Sequence, residues 1–296
     1  MSADVALFGG ASSCRQCAMA LLPNQEGKSI MVDWLLNLPL PGMALLVFLA
    51  TYLVAGSVYW VVMKFAATEW ARAFKAVSPG MLSPLGILFA LLIGFIAVEV
   101  WSSFDKAKAA VTAEASALRS AVLLAETFPQ EQKARLYGLI SRHVEVAVNE
   151  EWPEMAQQRA TLSLLPTALI GALHDTLSMK AADDRERAAQ PEMIRALQSA
   201  LDARRQRIVI SESAVGEVKW VGILLQALCT LLAIAMVHSD NRRACAISLT
   251  LFATGIALSV LLIAAYSRPF TGANSVGPQL LKQVIASIDP LPAEVR

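Results

Sequence analysis

The sequence predicts an all-α membrane protein, with four transmembrane helices arranged as two hairpins that flank a helical soluble region. Three observations predict it. First, the runs Gly42–Met63, Leu82–Trp101, Trp220–Val237 and Ala244–Tyr266 are almost free of charge. At about 1.5 Å per residue each spans roughly 27–35 Å as a helix, close to the hydrocarbon core of a bilayer. Second, 56% of the 296 residues are hydrophobic and 17% are charged, where soluble domains carry about a quarter charged residues. Third, the two pairs of runs bracket a charged centre with helical periodicity and no β pattern. Lipid offers no water to unpaired backbone groups, so helices are the structure these runs adopt.

Residues 1–30 mix Gly, Ser, Asn and charge around one short apolar patch, Ala18–Leu22. The patch is too short for a signal-peptide core and has no basic flank before it. This segment is expected to be a disordered or dispensable extension, and Met31 competes with Met1 as the true start. Trp34 suits an interfacial anchor. The first hairpin, 31–101, turns through Lys64–Met81, with Lys64, Arg72, Lys75 and a Ser78-Pro79-Gly80 turn. Trp70 and Phe74 belong at the interface there.

The soluble region is 102–219. Neither Pro nor Gly separates the second apolar run from Phe104–Thr127, where Val111, Leu118, Val122 and Ala125 recur at helical spacings. One helix running from bilayer into water is therefore expected. Pro129-Gln130-Glu131 opens the next helix, with a stripe of Leu136, Ile140, Val144 and Val148. It runs to about Glu151, where Trp152-Pro153 is expected to break it. An apolar segment at Leu162–Leu177 is interrupted by Pro166. Ala181–Ala189 reads as a charged loop, and Pro191-Glu192 as the start of a helix from Met193 to about Ile210. The second hairpin, 220–266, turns at Ser239, Asp240 and Asn241. Residues 267–296 form a C-terminal tail with a short helix.

Composition and motifs exclude several function classes. With 25 basic against 24 acidic residues, no field recruits nucleic acid, and the bilayer is the expected partner. Cys14 and Cys17 form a lone C-x-x-C without a second pair or nearby His, so no metal and no other cofactor is expected. Cys229 and Cys245 are expected to pack as small hydrophobes. His143, His174 and His238 show no metal spacing, and no nucleophile elbow or phosphate loop occurs. No enzyme is expected. Lys106, Lys108, Arg119, Arg204, Arg205, Arg207, Lys219, Arg268 and Lys282 outnumber Lys64, Arg72, Lys75, Arg242 and Arg243 of the short turns. That count places the soluble region and both termini in the cytoplasm of a cell-membrane protein.

Glu99 is the acid inside an apolar run. An intramembrane acid is a functional candidate by default, and here it shares a helix face with Leu92, Phe95 and Ser103. Two readings stay open: it faces a pore axis, or it meets headgroups beside Trp101.

Several short stretches resemble the bestrophin-like family of membrane proteins. They are Trp101-Ser102-Ser103-Phe104-Asp105-Lys106-Ala107 with Glu114-Ala115-Ser116-Ala117-Leu118-Arg119, Glu150-Glu151-Trp152-Pro153, Ala203-Arg204-Arg205-Gln206-Arg207, and Arg268-Pro269-Phe270-Thr271-Gly272. Their order and spacing carry the likeness from Met31 to the C-terminus. Ser120–Leu124 lacks the family's aromatic-plus-Arg pair, and Tyr266-Ser267 replaces an acid before Arg-Pro-Phe. The resemblance implies a distant likeness to bestrophins, pentameric anion channels with four membrane helices per subunit. It implies a homo-oligomer, a pentamer by analogy, whose second helix lines the pore with Leu88, Leu92, Phe95 and Glu99. An acidic Glu99 ring would oppose anions. It marks Glu114, Glu151, Trp152, Arg204, Arg205, Arg268, Pro269 and Phe270 as motif residues. Arg268 has two readings, pairing with Glu114 or Glu151, or snorkelling to lipid phosphates. Two functions follow: an oligomeric ion channel, or a membrane-anchored interaction or sensor protein whose central region binds a partner.

Overall fold

The computed structural model describes residues 38–288 other than 71, 72, 75, 214 and 273. The expectations for residues 1–30, Met31, Trp34, Cys14 and Cys17, and for Arg72 and Lys75, lie outside the described residues. Nine α-helices occur among those described: α1 Leu40–Ala66, α2 Leu82–Ala125, α3 Gln130–Val146, α4 Trp152–Ala156, α5 Thr167–Ser178, α6 Asp184–Ser211, α7 Glu217–Val237, α8 Arg242–Tyr266 and α9 Gln279–Ile288. No strand is found among the described residues. Four helices, α1, α2, α7 and α8, are long and apolar enough to cross a membrane.

The apolar halves of these four helices share one core. Ala55, Val58 and Val62 of α1 meet Phe89, Ile96 and Val100 of α2, Ile223 and Leu231 of α7, and Leu249 and Ile256 of α8. The Phe89 and Phe252 rings meet at a tilt, with centroids 5.6 Å apart. Tyr52 and Thr254 hydroxyls hydrogen-bond at 2.8 Å between α1 and α8. The outer faces stay apolar, with Leu45 at 73% and Leu251 at 70% exposure, the surface a lipid solvent requires. Cys245 packs as expected, whereas Cys229 is exposed on that outer face, because its position on α7 points away from the shared core.

Continuous helicity carries α2 for 44 residues, about 66 Å at 1.5 Å per residue. Its distal half enters a second core. Val111, Leu118 and Val122 pack against Leu136, Ile140 and Val144 of α3, Leu169 of α5, Met193, Leu197 and Ile208 of α6, and Leu281 and Val284 of α9. At the join between layers, Phe104 of α2 meets Tyr266 of α8 edge-on at 5.4 Å. Phe74, expected at the interface, packs partly into the membrane core, while Trp70 is exposed.

Three prolines behave differently from the sequence reading. Trp152-Pro153 does not break α3. One π turn, Ala147–Glu151, joins α3 to α4, and the Trp152 N–H donates to the Ala147 carbonyl. The wider turn re-phases the backbone just ahead of Pro153, where an α-helix would meet a missing donor and a ring clash. Pro191 does not start a helix either: it lies inside α6, which begins at Asp184. Asp183 Oδ1 accepts the Glu186 N–H at 2.8 Å, and Glu186 Oε2 accepts the Ala182 N–H at 2.7 Å. This reciprocal cap fixes the start seven residues upstream of Pro191 and makes helix of residues 184–189 of the segment expected as a charged loop, leaving 181–183 outside it. Pro166 caps rather than interrupts, with α5 starting at Thr167 and the Ile170 N–H donating to the Pro166 carbonyl at 3.0 Å.

Candidate functional site

Two places concentrate chemistry. The first is a buried charge cluster where α2, α6 and the π turn meet. From Trp101 to Glu114, α2 rises about 20 Å past the end of its apolar run, so the cluster sits outside the membrane span. Arg207 is fully buried and uses its whole guanidinium. Nε donates to Glu114 Oε2 at 2.6 Å, Nη2 to Glu114 Oε1 at 3.1 Å and Glu151 Oε2 at 2.8 Å, and Nη1 to Met155 Sδ at 3.3 Å. Arg204, one turn earlier on the same face, donates Nε to Glu151 Oε1 at 2.7 Å and Nη2 to the Leu164 carbonyl at 2.9 Å. His143 Nε2 donates to Glu114 Oε1 at 3.0 Å from α3.

The aromatic groups close this cluster. The Trp152 ring lies 5.0 Å from the Arg207 guanidinium, a cation–π contact in a buried setting. Phe270 meets Trp152 edge-on at 5.7 Å, and the Trp152 indole N–H donates to the Val276 carbonyl at 3.2 Å. Thr271 Oγ1 donates to the Ala156 carbonyl at 2.6 Å. Gly272, at φ 89°, turns the chain back there. Two guanidiniums face two carboxylates, so no net charge is stranded before His143 is counted. Burial alone would raise the Glu114 pKa, but the Arg207 charge and the hydrogen bonds from His143 and Arg207 outweigh it and hold it at about 2. Burial acts to lower the Arg207 pKa, and the charges and hydrogen bonds of Glu114 and Glu151 raise it overall.

Of the motif residues, Glu114, Glu151, Trp152, Arg204 and Phe270 therefore meet. Arg205 does not join them: it is exposed and pairs with Asp202 at 3.3 Å, because it lies about 100° around the helix from Arg204. Pro269 forms the turn, its carbonyl accepting the Val276 N–H at 2.8 Å. Arg268 is half-buried at that turn. The acids considered for it, Glu114 and Glu151, are instead bound by Arg207, Arg204 and His143. In sequence Arg207 reads only as a flanking charge beside the motif residues, although its i+3 spacing from Arg204 is the available signal, and His143 reads only as a histidine without metal spacing. Among the described residues, no group of three or more His, Cys, Asp or Glu is placed to hold a metal.

The second place is the open face of α2 at the membrane edge. Leu88 is 56% and Phe95 67% exposed, and Glu99 is exposed with them, while Leu92 turns partly into the membrane core. Glu99 does not stand alone. Lys219 Nζ, at the first turn of α7, donates to Glu99 Oε1.

A family model described as the Bestrophin-like domain matches residues 49–281. No curated protein matches the sequence. Among solved structures, the chain is similar to a bacterial bestrophin homologue from Klebsiella pneumoniae, with TM-score 0.62 and 14% identity over 82% of this chain and 96% of that one. A variant of that homologue with one Trp replaced by Ala gives TM-score 0.64 at 14% identity, over 81% and 95%. A further variant, with one Ile replaced by Thr, gives 0.62 at 17% identity, over 83% and 98%. At these identities the likeness shows the shared fold.

Proposed function

This chain belongs to the Bestrophin-like family, and from that premise we propose that it is the subunit of an oligomeric ion channel in a cell membrane. The observation that carries the reading is how little of α2 is covered. Of the apolar window in each span, 11% is buried in the helix containing α2, against 22%, 33% and 28% for α1, α7 and α8. The least enclosed span is also the one that continues into the soluble layer. Copies of this chain arranged around an axis would enclose that face, and Leu88, Phe95 and Glu99 would then line the path, with Leu92 behind them. The family likeness supports a ring, a pentamer by analogy with bestrophins. In this reading 31–101 and 220–266 are assigned to its membrane layer, 102–219 to a cytoplasmic layer and 267–296 to a tail, whose helix α9 packs on the soluble core through Leu281 and Val284.

The buried acids and bases pair with one another, as a structural contact rather than a reacting centre requires. The buried cluster acts instead as a lock between α2 and α6, the helix that leads back to the membrane. The test is purified oligomer in planar bilayers under asymmetric salt. Single-channel steps with a reversal potential set by the ion gradient are expected. A well-folded oligomer silent under varied voltage, pH and calcium would favour a membrane-anchored interaction protein instead.

A further inference from the structure

We propose that Lys219 is a charge-selectivity determinant of this channel, acting by compensating Glu99. The inference rests on the channel reading above and concerns a residue outside the second helix. Within the four apolar runs, Glu99 is the single residue among Asp, Glu, Lys, Arg and His. Lys219 immediately precedes the third run. Helices α2 and α7 run antiparallel, so the end of one apolar run faces the start of the other. That geometry brings two residues 120 positions apart into an ion pair at one membrane edge.

The pair is not buried. Lys219 is 42% and Glu99 54% exposed, so both charges are open to whatever passes the open face of α2. The next exposed charges along α2 are Asp105 and Lys106, beside an open groove lined by Val98, Trp101, Ser102 and Ala109. They are of opposite sign, as are exposed Lys108 of α2 and exposed Glu217 in the first turn of α7, so these neighbours add no net charge to the Glu99–Lys219 pair. A lone Glu99 ring would attract cations and repel anions. Paired with Lys219, each Glu99 contributes a dipole rather than a net charge. In water an unpaired unit charge at about 4 Å is worth about 1 kcal/mol, which is about fivefold in local ion concentration. Removing either partner exposes the other.

The experiment measures reversal potential in asymmetric NaCl for the full-length oligomer and four variants. Lys219→Gln is expected to shift the permeability ratio about fivefold towards cations. Glu99→Gln is expected to shift it in the opposite direction by a similar factor. The Glu99→Gln/Lys219→Gln double variant returns to the wild-type ratio, and Lys219→Arg leaves it unchanged. A thermal melt of each purified variant identifies loss of fold; if Lys219→Gln melts early, Lys219→Met, which keeps the aliphatic stem and removes the charge, supplies the same comparison. Wild-type conductance with a Lys219→Gln ratio equal to wild type overturns the assignment and leaves the channel reading standing. A double variant that keeps the Lys219→Gln shift also overturns it. A silent wild type overturns both.

Discussion

At the scale of single residues, the Glu114–Arg207 pair sets the acid tolerance of the soluble layer. Two opposite charges in a dry interior attract strongly, but each has lost its water, so the pair favours folding only while both partners stay charged and hydrogen-bonded. Glu114 has its pKa lowered from 4.5 to about 2 in the folded chain. A depressed carboxylate contributes stability that is fully present above its unfolded pKa and is lost as pH falls through the folded one. Melting temperature in detergent should therefore decline between about pH 4.5 and about pH 2. Glu114→Gln should lower it at pH 7, the loss of stability being that of unbalancing a buried ion pair, about 3–5 kcal/mol, and should flatten the profile below pH 4.5. An unchanged melting temperature at pH 7 would remove the pair from the stability of this layer. Trp152 and Phe270 belong to the same unit, since the ring that covers Arg207 is itself held by Phe270.

At the scale of elements, the start of α6 depends on a local device. Asp183 and Glu186 each accept the other side's orphan N–H, and the helix then runs through Pro191 despite the missing donor. Loss of an N-cap carboxylate typically costs about 1 kcal/mol, so Asp183→Ala should lower the melting temperature measurably, and Asp183→Asn should restore most of it. If Asp183→Ala melts like wild type, tertiary packing of Met193 and Leu197 alone fixes the start. The Asp-x-x-Glu pattern that marks this start stands in the sequence, whereas Pro191-Glu192 carries the more familiar signature of a helix opening. The long helix α2 was legible for the opposite reason: nothing in Trp101–Phe104 interrupts the backbone ladder, and the apolar stripe keeps its period from lipid into water. The π turn was not legible, since five ordinary residues carry no mark of the wider winding that spares Pro153. The buried cluster was partly legible. Its acids and Arg204 stand in the family-like stretches, whereas the partnership of Arg207 and His143 with Glu114 needs three helices in register, which no local pattern encodes. Lys219 was read only as a flanking charge, because its partner is distant in sequence.

At the scale of the whole molecule, the charges sort differently once their partners are known. Arg204 and Arg207 are neutralised inside the soluble layer, and Lys219 by Glu99 at the membrane edge. Orientation is set during insertion, however, when flanking Lys and Arg act before such tertiary pairs exist. The count over the unpaired nascent chain is then the relevant one, and it favours a cytoplasmic soluble layer, with the Ser239 turn between α7 and α8 on the outer face. That turn is suited to a probe: Asn241 caps α8 by accepting the Arg243 and Ala244 N–H groups at 3.1 Å, and two residues earlier Ser239 is half-exposed and leaves this cap untouched. With the four native cysteines replaced, Ser239→Cys should react with a membrane-impermeant maleimide in intact cells. A cysteine introduced at exposed Ser116 of α2 should react only after permeabilisation. The reverse pattern would invert the molecule in the membrane. It would then place the Glu99–Lys219 pair at the outer mouth of the path, and the folded soluble layer with its buried charge lock outside the cell.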